Sequence, residues 1–208
     1  MDLVVARYNE PLSWIGEVPE YWRVLVYDMG SEGVAVPGRV EIVKIANKGR
    51  ESFAYLNHIL FNYERLDEFT LFCQGNPFPH AADIAEADCY NNKIPPNFIQ
   101  RLIKLHEEII QSFKDGPTFP DYTPIGRLHG CPADDAMPRI AYRFPLSPRM
   151  DYFCNDTGRP ITPLRQIWKH LVGSEPMPEN LKHTWGNQFL VRKRAVISRS
   201  KAFYTKTI

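Results

Sequence analysis

The sequence predicts a single α/β domain, a central and mostly parallel sheet flanked by helices. Three observations carry that prediction. Short valine-rich apolar runs recur at a spacing that suits buried strands. They alternate with connectors and a helix in the first 75 residues, the grammar of a sheet wound by crossovers. Polar clusters then follow each run, where a parallel sheet places its ligands.

The elements follow in order. "DLVVA" at 2–6 is the first strand. "RYNEPLSWIGEVPEYW" reads as a polar connector interrupted by Pro11 and Pro19, and "RVLVYD" at 23–28 is the second strand. Met29 to Gly38 is a glycine-rich turn region, and "VEIVKIA" at 40–46 is the third strand. A helix is expected from about Arg50 to Arg65, with Glu51, Tyr55, His58 and Asn62 on a polar stripe and Phe53, Leu56, Leu60 and Tyr63 on an apolar one. "FTLFCQG" at 69–75 is the fourth strand, which proline stops at "NPFPH". "PPNFIQRLIKLHEEIIQSF" is an amphipathic helix with Phe98, Leu102, Leu105 and Ile109 on one face. Residues 114–160 read as proline-rich and mostly loop. A helix is expected at 162–172, capped by Thr162 with Pro163 behind it, then a strand at 185–191 and a closing helix at 193–206.

Composition narrows the function. The chain has 208 residues, 44% of them hydrophobic, enough for one ordinary core. A formal net charge of +1 gives no global field for nucleic acid or membrane surface. No apolar run is long enough to span a bilayer, and the chain opens directly on a strand pattern, so neither a transmembrane helix nor a signal peptide is expected. Cys73, Cys89, Cys131 and Cys154 form no C-x-x-C pair and read as free thiols in a reducing compartment. The expectation is a soluble intracellular protein. Eighteen prolines with 12% aromatics suggest ordered, proline-pinned loops.

Four clusters sit at strand ends: Arg7, Tyr8, Asn9 and Glu10 after the first strand, Asp28 after the second, Asn47 to Glu51 after the third, and Gln74, Gly75 and Asn76 on to His80 after the fourth. A tyrosine can stack on a base, and an asparagine or carboxylate can bond a ribose. At the head of the helix, Gly49 lets a ligand approach, and Arg50 with the first-turn N–H groups can hold a phosphate or a carboxylate. An ordinary helix start, with Glu51 facing the dipole, reads equally well. His80 with Asp83 suits a metal pair or a helix cap. Asp134 and Asp135 lie in an acidic loop. The basic tail, with Arg192 and Arg194, suits a solvated face or a polyanion. No G-x-S-x-G, H-E-x-x-H, P-loop or G-x-G-x-x-G occurs.

The stretches "VVARYNEPLSWI", "NKGRESFAYLNHILFNYERL", "TLFCQGNPFPH" and "WGNQFLVRKRAVISRSKAFY" together resemble a widespread family of uncharacterised proteins. Its members read V-V-x-R-Y-N-E-x-x-x-W, N-x-G-R-E-x-x-x-Y-L-x-H-I, F-x-Q-G-x-P-F-x-H and x-Q-F-x-V-x-[KR]-x-x-I. The first motif is similar to the opening of GT-A type glycosyltransferases, and N-x-G-R-E resembles the N-x-G-R-D of some polysaccharide-building transferases. The resemblance implies a GT-A-like domain over 1–208, with a nucleotide-binding half at 1–80 and an acceptor-side half at 81–208. It implies a nucleotide-sugar donor meeting Arg7, Tyr8, Asn9 and Glu10 at base and ribose, with Asn47, Gly49, Arg50 and Glu51 flanking the nucleotide. The acceptor would be a hydroxyl of a glycan, a small molecule or a modified nucleic acid.

GT-A enzymes usually hold a divalent metal, Mn2+ or Mg2+, with a D-x-D. "CQGNPF" replaces it here. Either the metal is held otherwise, or Arg50, His80, Arg192 and Arg194 supply the charge. The general base is Glu51, Asp134 or Asp135. His58, Trp185 and Gln188 are candidates for the acceptor or diphosphate side. The rival functions are a metal-assisted hydrolase using His58 and His80, and a non-catalytic sugar- or nucleotide-binding protein.

Overall fold

In the computed structural model, described for residues 1–78, 98–115, 119–125, 144–145, 169–170, 172–176, 180–181 and 187–208, six strands form one sheet. These are β1 (Asp2–Arg7), β2 (Arg23–Asp28), β3 (Glu41–Lys44), β4 (Phe69–Gln74), β5 (Tyr122–Pro124) and β8 (Phe189–Arg192). A separate two-stranded ladder joins β6 (Phe144–Pro145) to β7 (Asn180–Leu181). The described helices are α1 (Arg50–Asn62), α2 (Phe98–Asp115), α3 (Lys193–Ile197) and α4 (Lys201–Thr207).

The sheet order is β3-β2-β1-β4-β8-β5. β1 pairs in parallel with both β2 and β4, and β2 with β3. The four N-terminal strands therefore run as expected. β8 is antiparallel to β4 and to β5, so the far side of the sheet is mixed. From β1 the chain steps outward through β2 to β3, then returns through α1 to the other side of β1. That reversal puts a topological switch point between β1 and β4, where open α/β sheets bind ligands.

All six residues of β1 are buried, which explains why its valine run lacks polar alternation. Odd positions Leu3 and Val5 face a core shared with Val24, Val26, Leu71, Cys73 and the α2 residues Phe98 and Leu102. Even positions Val4 and Ala6 face Leu25, Tyr27, Phe72 and the α1 residues Ala54 and Tyr55. The period of two thus assigns one helical layer to each face. On α2, Phe98, Ile99, Leu102 and Ile109 are buried and Leu105 partly so, as the amphipathic spacing predicts.

Several expectations are corrected. The segment after β1 is no polar connector. It carries a 3-10 helix, Ser13–Glu17, and buries Leu12, Trp14, Ile15, Val18 and Trp22. The stripes of α1 are rotated: Ala54, Tyr55, His58, Ile59 and Asn62 face the sheet, while Leu56 and Leu60 are only partly buried. Aromatic and imidazole rings offer enough apolar area to cover the sheet, and His58 Nδ1 pairs with Tyr27 Oη and Asn62 Nδ2. The third strand is shorter than expected and lies exposed at the sheet edge. The closing helix is broken, because Ser200 caps α4 by accepting from Phe203 N–H. Thr162 and Pro163 lie outside the described residues.

Candidate functional site

A crevice of about 390 Å³ opens above the carboxyl ends of β1 and β4. It is lined by Ala6, Tyr8, Glu10, Met29, Asn47, Arg50, Glu51, Gln74 and Asn76. Ala6 and Gln74 are register partners across the two strands, so the crevice stands on the switch point itself. A second cavity, of about 460 Å³, lies on the β2 side of the 7–10 turn, lined by Arg7, Asn9, Glu10, Leu12, Glu32, Val34 and others. Glu10 borders both.

The wall between them is held from below. Arg7 is almost wholly buried, yet it is not aimed at solvent: its guanidinium bonds Asp28 at 2.9 Å, Glu10 O at 2.9 Å and Glu32 O at 3.1 Å. The Asp28 carboxylate also takes Gly30 N–H at 3.0 Å and lies 2.6 Å from Lys44 Nζ. Burial pushes the Asp28 pKa up, but the bonds from Lys44, Gly30 and Arg7 outweigh it and hold the carboxyl below its usual range. Asn9 Oδ1 accepts Glu32 N–H at 3.1 Å. The expectation that Arg7 and Asn9 meet base and ribose gives way to a scaffolding role for these atoms, since a buried guanidinium must spend its donors on nearby acceptors.

Tyr8 is different. Half its surface is exposed, so its ring is available to stack. Its N–H donates to Glu10 Oε2 at 2.6 Å, which folds the carboxylate back over the turn. Gly75 makes room for it: a Cβ there would stand 2.7 Å from Glu10 Oε2. Gly75 is held in turn by its N–H to Ala6 O at 2.7 Å and by Trp14 Nε1 to its carbonyl at 2.9 Å. Gln74 lines the floor without a partner among the described residues, and Asn76 Oδ1 takes Phe78 N–H.

On the opposite wall α1 begins. Gly49 sits before it with φ −158° and ψ 29°, neither helical nor extended. The left-handed turn falls on Arg50, whose φ is +52°, a value uncommon outside glycine. Arg50 makes no ion pair or hydrogen bond among the described residues. Asn47 precedes it, exposed. Glu51 accepts a hydrogen bond from Asn187 Nδ2 at 3.0 Å. Asn187 is the other described non-glycine residue with positive φ, +45°, and it bonds a carboxylate that lines the crevice. Asn187 carries no sequence motif. Only its place just ahead of the strand that returns beside β4 marks it.

Other candidates are placed away from the crevice. His58 is fully buried beneath the sheet, with Nδ1 3.2 Å from Tyr27 Oη and edge-on to Phe72. Burial lowers its pKa to about 4, so it is neutral there. It is no acceptor-side ligand, because α1 turns it inward. Arg192 lies at the amino end of β4, opposite Phe69, pairing with Glu68 at 2.5 Å and covering the Phe69 and Phe113 rings. Arg194 pairs with Asp121. Since β8 runs antiparallel to β4, both cations are carried to the sheet end remote from the crevice, and the expected diphosphate role does not fit. Gln188 is fully buried, donating to Pro77 O at 2.8 Å, and so anchors the 187–189 turn to the exit of β4 and does not line the crevice. His80, Asp83, Asp134, Asp135 and Trp185 lie outside the described residues.

The chemistry of the donor set bears on the implied Mn2+ or Mg2+. Glu10 is folded onto its own turn, Glu51 is engaged by Asn187, and the end of β4 brings Gln74, an amide and not a carboxylate, to the crevice. Among the described residues no three His, Cys, Asp or Glu side chains gather as a metal site. The described residues of the crevice do not fit a divalent cation held against a diphosphate in the GT-A manner.

Fold and crevice define an α/β protein with a polar, cation-bearing crevice at its switch point. Residues 3–112 match a family described as "Protein of unknown function (DUF3431)", more than half of the chain, and the chain belongs to that family. The matched segment contains every crevice-lining residue. The comparisons with curated proteins and with solved structures find no match. No described helix is long and apolar enough to cross a membrane.

Proposed function

We propose that the protein is a transferase of the GT-A-like kind, which moves a sugar from a nucleoside diphosphate donor to a hydroxyl acceptor. The observation that carries this reading is the switch-point crevice itself, with an uncommitted cation, Arg50, at the amino end of α1 on one wall and an exposed aromatic, Tyr8, on the other. Helix N–H groups and a guanidinium suit a diphosphate; a free tyrosine face suits a base. Arg50 and the first turn of α1 stabilise the leaving diphosphate, in place of a metal. The acceptor oxygen bonds the anomeric carbon, the carbon–phosphate-oxygen bond breaks with its electron pair on the diphosphate, and a carboxylate base takes the hydroxyl proton. The hydrolase alternative loses support, because His58 is in the core.

Thermal shift with UDP, GDP, CMP and dTDP and their common sugars tests the reading. A ligand that binds only the folded state raises the melting temperature. The expected result is a shift with one nucleotide family that vanishes in Arg50→Ala. No shift with any of them overturns the proposal.

A further inference from the structure

A residue from the far end of the chain bonds one of the crevice carboxylates. Asn187 follows 136 residues after Glu51, yet its Nδ2 donates to Glu51 Oε1 at 3.0 Å. The turn that presents it is fixed on its C-terminal side. Gln188 is buried with its amide on Pro77 O, and its own carbonyl accepts Ile125 N–H at 2.9 Å. Phe189 then enters β8 against Phe72 and Tyr55. Asn187 is held in a left-handed conformation to reach the carboxylate. The hydrogen bond occupies one oxygen of Glu51, and the other makes no bond among the described residues.

We propose that Asn187 is a positioning residue: by engaging Oε1 it fixes the Glu51 carboxylate so that Oε2 meets a hydroxyl of a sugar-bearing ligand in the crevice. The inference rests on the donor-site reading above, and it assigns the sugar end of that ligand to the Glu51–Asn187 pair and the phosphate end to Arg50. A flexible glutamate at a helix start would visit several rotamers. Tethered to a second anchored segment, it presents one lone pair in one direction.

Side-chain NMR tests it on the intact protein. The Asn187 amide signal is assigned by its loss in Asn187→Gly, which accepts a positive φ and so preserves the turn. The Arg50 Nε signal is assigned by its loss in Arg50→Ala. The probes are UDP with UDP-glucose and GDP with GDP-mannose. The expected result is that a sugar nucleotide moves both signals, its bare nucleotide moves only that of Arg50, and the Asn187 response is lost in Glu51→Ala. An Asn187 signal that responds equally to the bare nucleotide, or that still responds in Glu51→Ala, overturns the positioning role. So does a still Asn187 signal when Arg50 moves with both members of a pair, which leaves the donor site standing. If no probe moves either signal, the donor-site reading falls and this inference with it.

Discussion

The Arg7 guanidinium meets the Asp28 carboxylate at 2.9 Å, with both side chains almost fully buried at the ends of neighbouring parallel strands. The pair is more than a surface ornament, because its remaining donors and acceptors hold the 29–33 loop against the 7–10 turn. Breaking one partner strands the other charge in the interior. Asp28→Asn is expected to cost about 3–5 kcal/mol in chemical denaturation at neutral pH. The folded pKa of Asp28 lies below its ordinary value, so the stability it brings is present at neutral pH and is lost as pH falls through the folded value. The acid limb of the stability curve should be correspondingly shallower in Asp28→Asn.

Gly30 is the point where the two loops touch. A Cβ there would fall 1.3 Å from Tyr8 O and 2.3 Å from Asn9 Oδ1, so no rotamer change can relieve it. Gly30→Ala must move the Tyr8 backbone. The expected loss is about 3 kcal/mol or more, and circular-dichroism melts set beside the crevice's ligand response should show both fall together. Gly33→Ala, with nothing within 4 Å of its Cβ, is the control and should melt like the wild type.

His58 offers a different pH signature. Its ring is buried between Tyr27 and Phe72, and Nδ1 also stands 3.4 Å from Asn62 Nδ2. With Nδ1 accepting, the proton of the neutral ring lies on Nε2, which has no partner. Burial drops the folded pKa from 6.5 to about 4. A histidine whose folded pKa is depressed keeps the fold fully stable above its unfolded value and withdraws stability as pH falls from about 6.5 toward about 4. That window is worth about 3 kcal/mol. His58→Phe should flatten the slope between those pH values in denaturant titrations. An unchanged slope would show that another group titrates there.

The sequence made part of this legible, and physical reasons separate that part from the rest. The first four strands could be read because buried parallel strands are continuous apolar runs, and the strand-end clusters because the crevice lies beside them. The order of β8 and β5 could not be read, since antiparallel return strands of three or four residues leave little pattern. The stripes of α1 misled for a chemical reason: Tyr55, His58 and Asn62 count as polar, but Tyr27 supplies a buried partner for His58, and that partner sits on another element. Arg192 and Arg194 misled through topology, because a cation's place depends on which way its strand runs. Asn187 was invisible for the same reason, as only the fold brings it to Glu51.

Arg50 supplies the sharpest separation of stability from function. Its left-handed φ of +52° costs a side-chain-bearing residue about 1–2 kcal/mol, and glycine would avoid that cost. No ion pair among the described residues offsets it. Arg50→Gly is therefore expected to raise stability by about 1 kcal/mol while abolishing the melting-temperature shift given by a nucleoside diphosphate. Arg50→Ala keeps the strain and loses the charge, so it should lose the ligand response with little gain in stability. Paired denaturation and thermal-shift measurements on the two variants decide the matter. If Arg50→Gly gains stability and keeps its ligand response, the guanidinium is not what holds the phosphates. If it loses stability instead, the left-handed turn is stabilised by contacts that the arginine side chain itself makes.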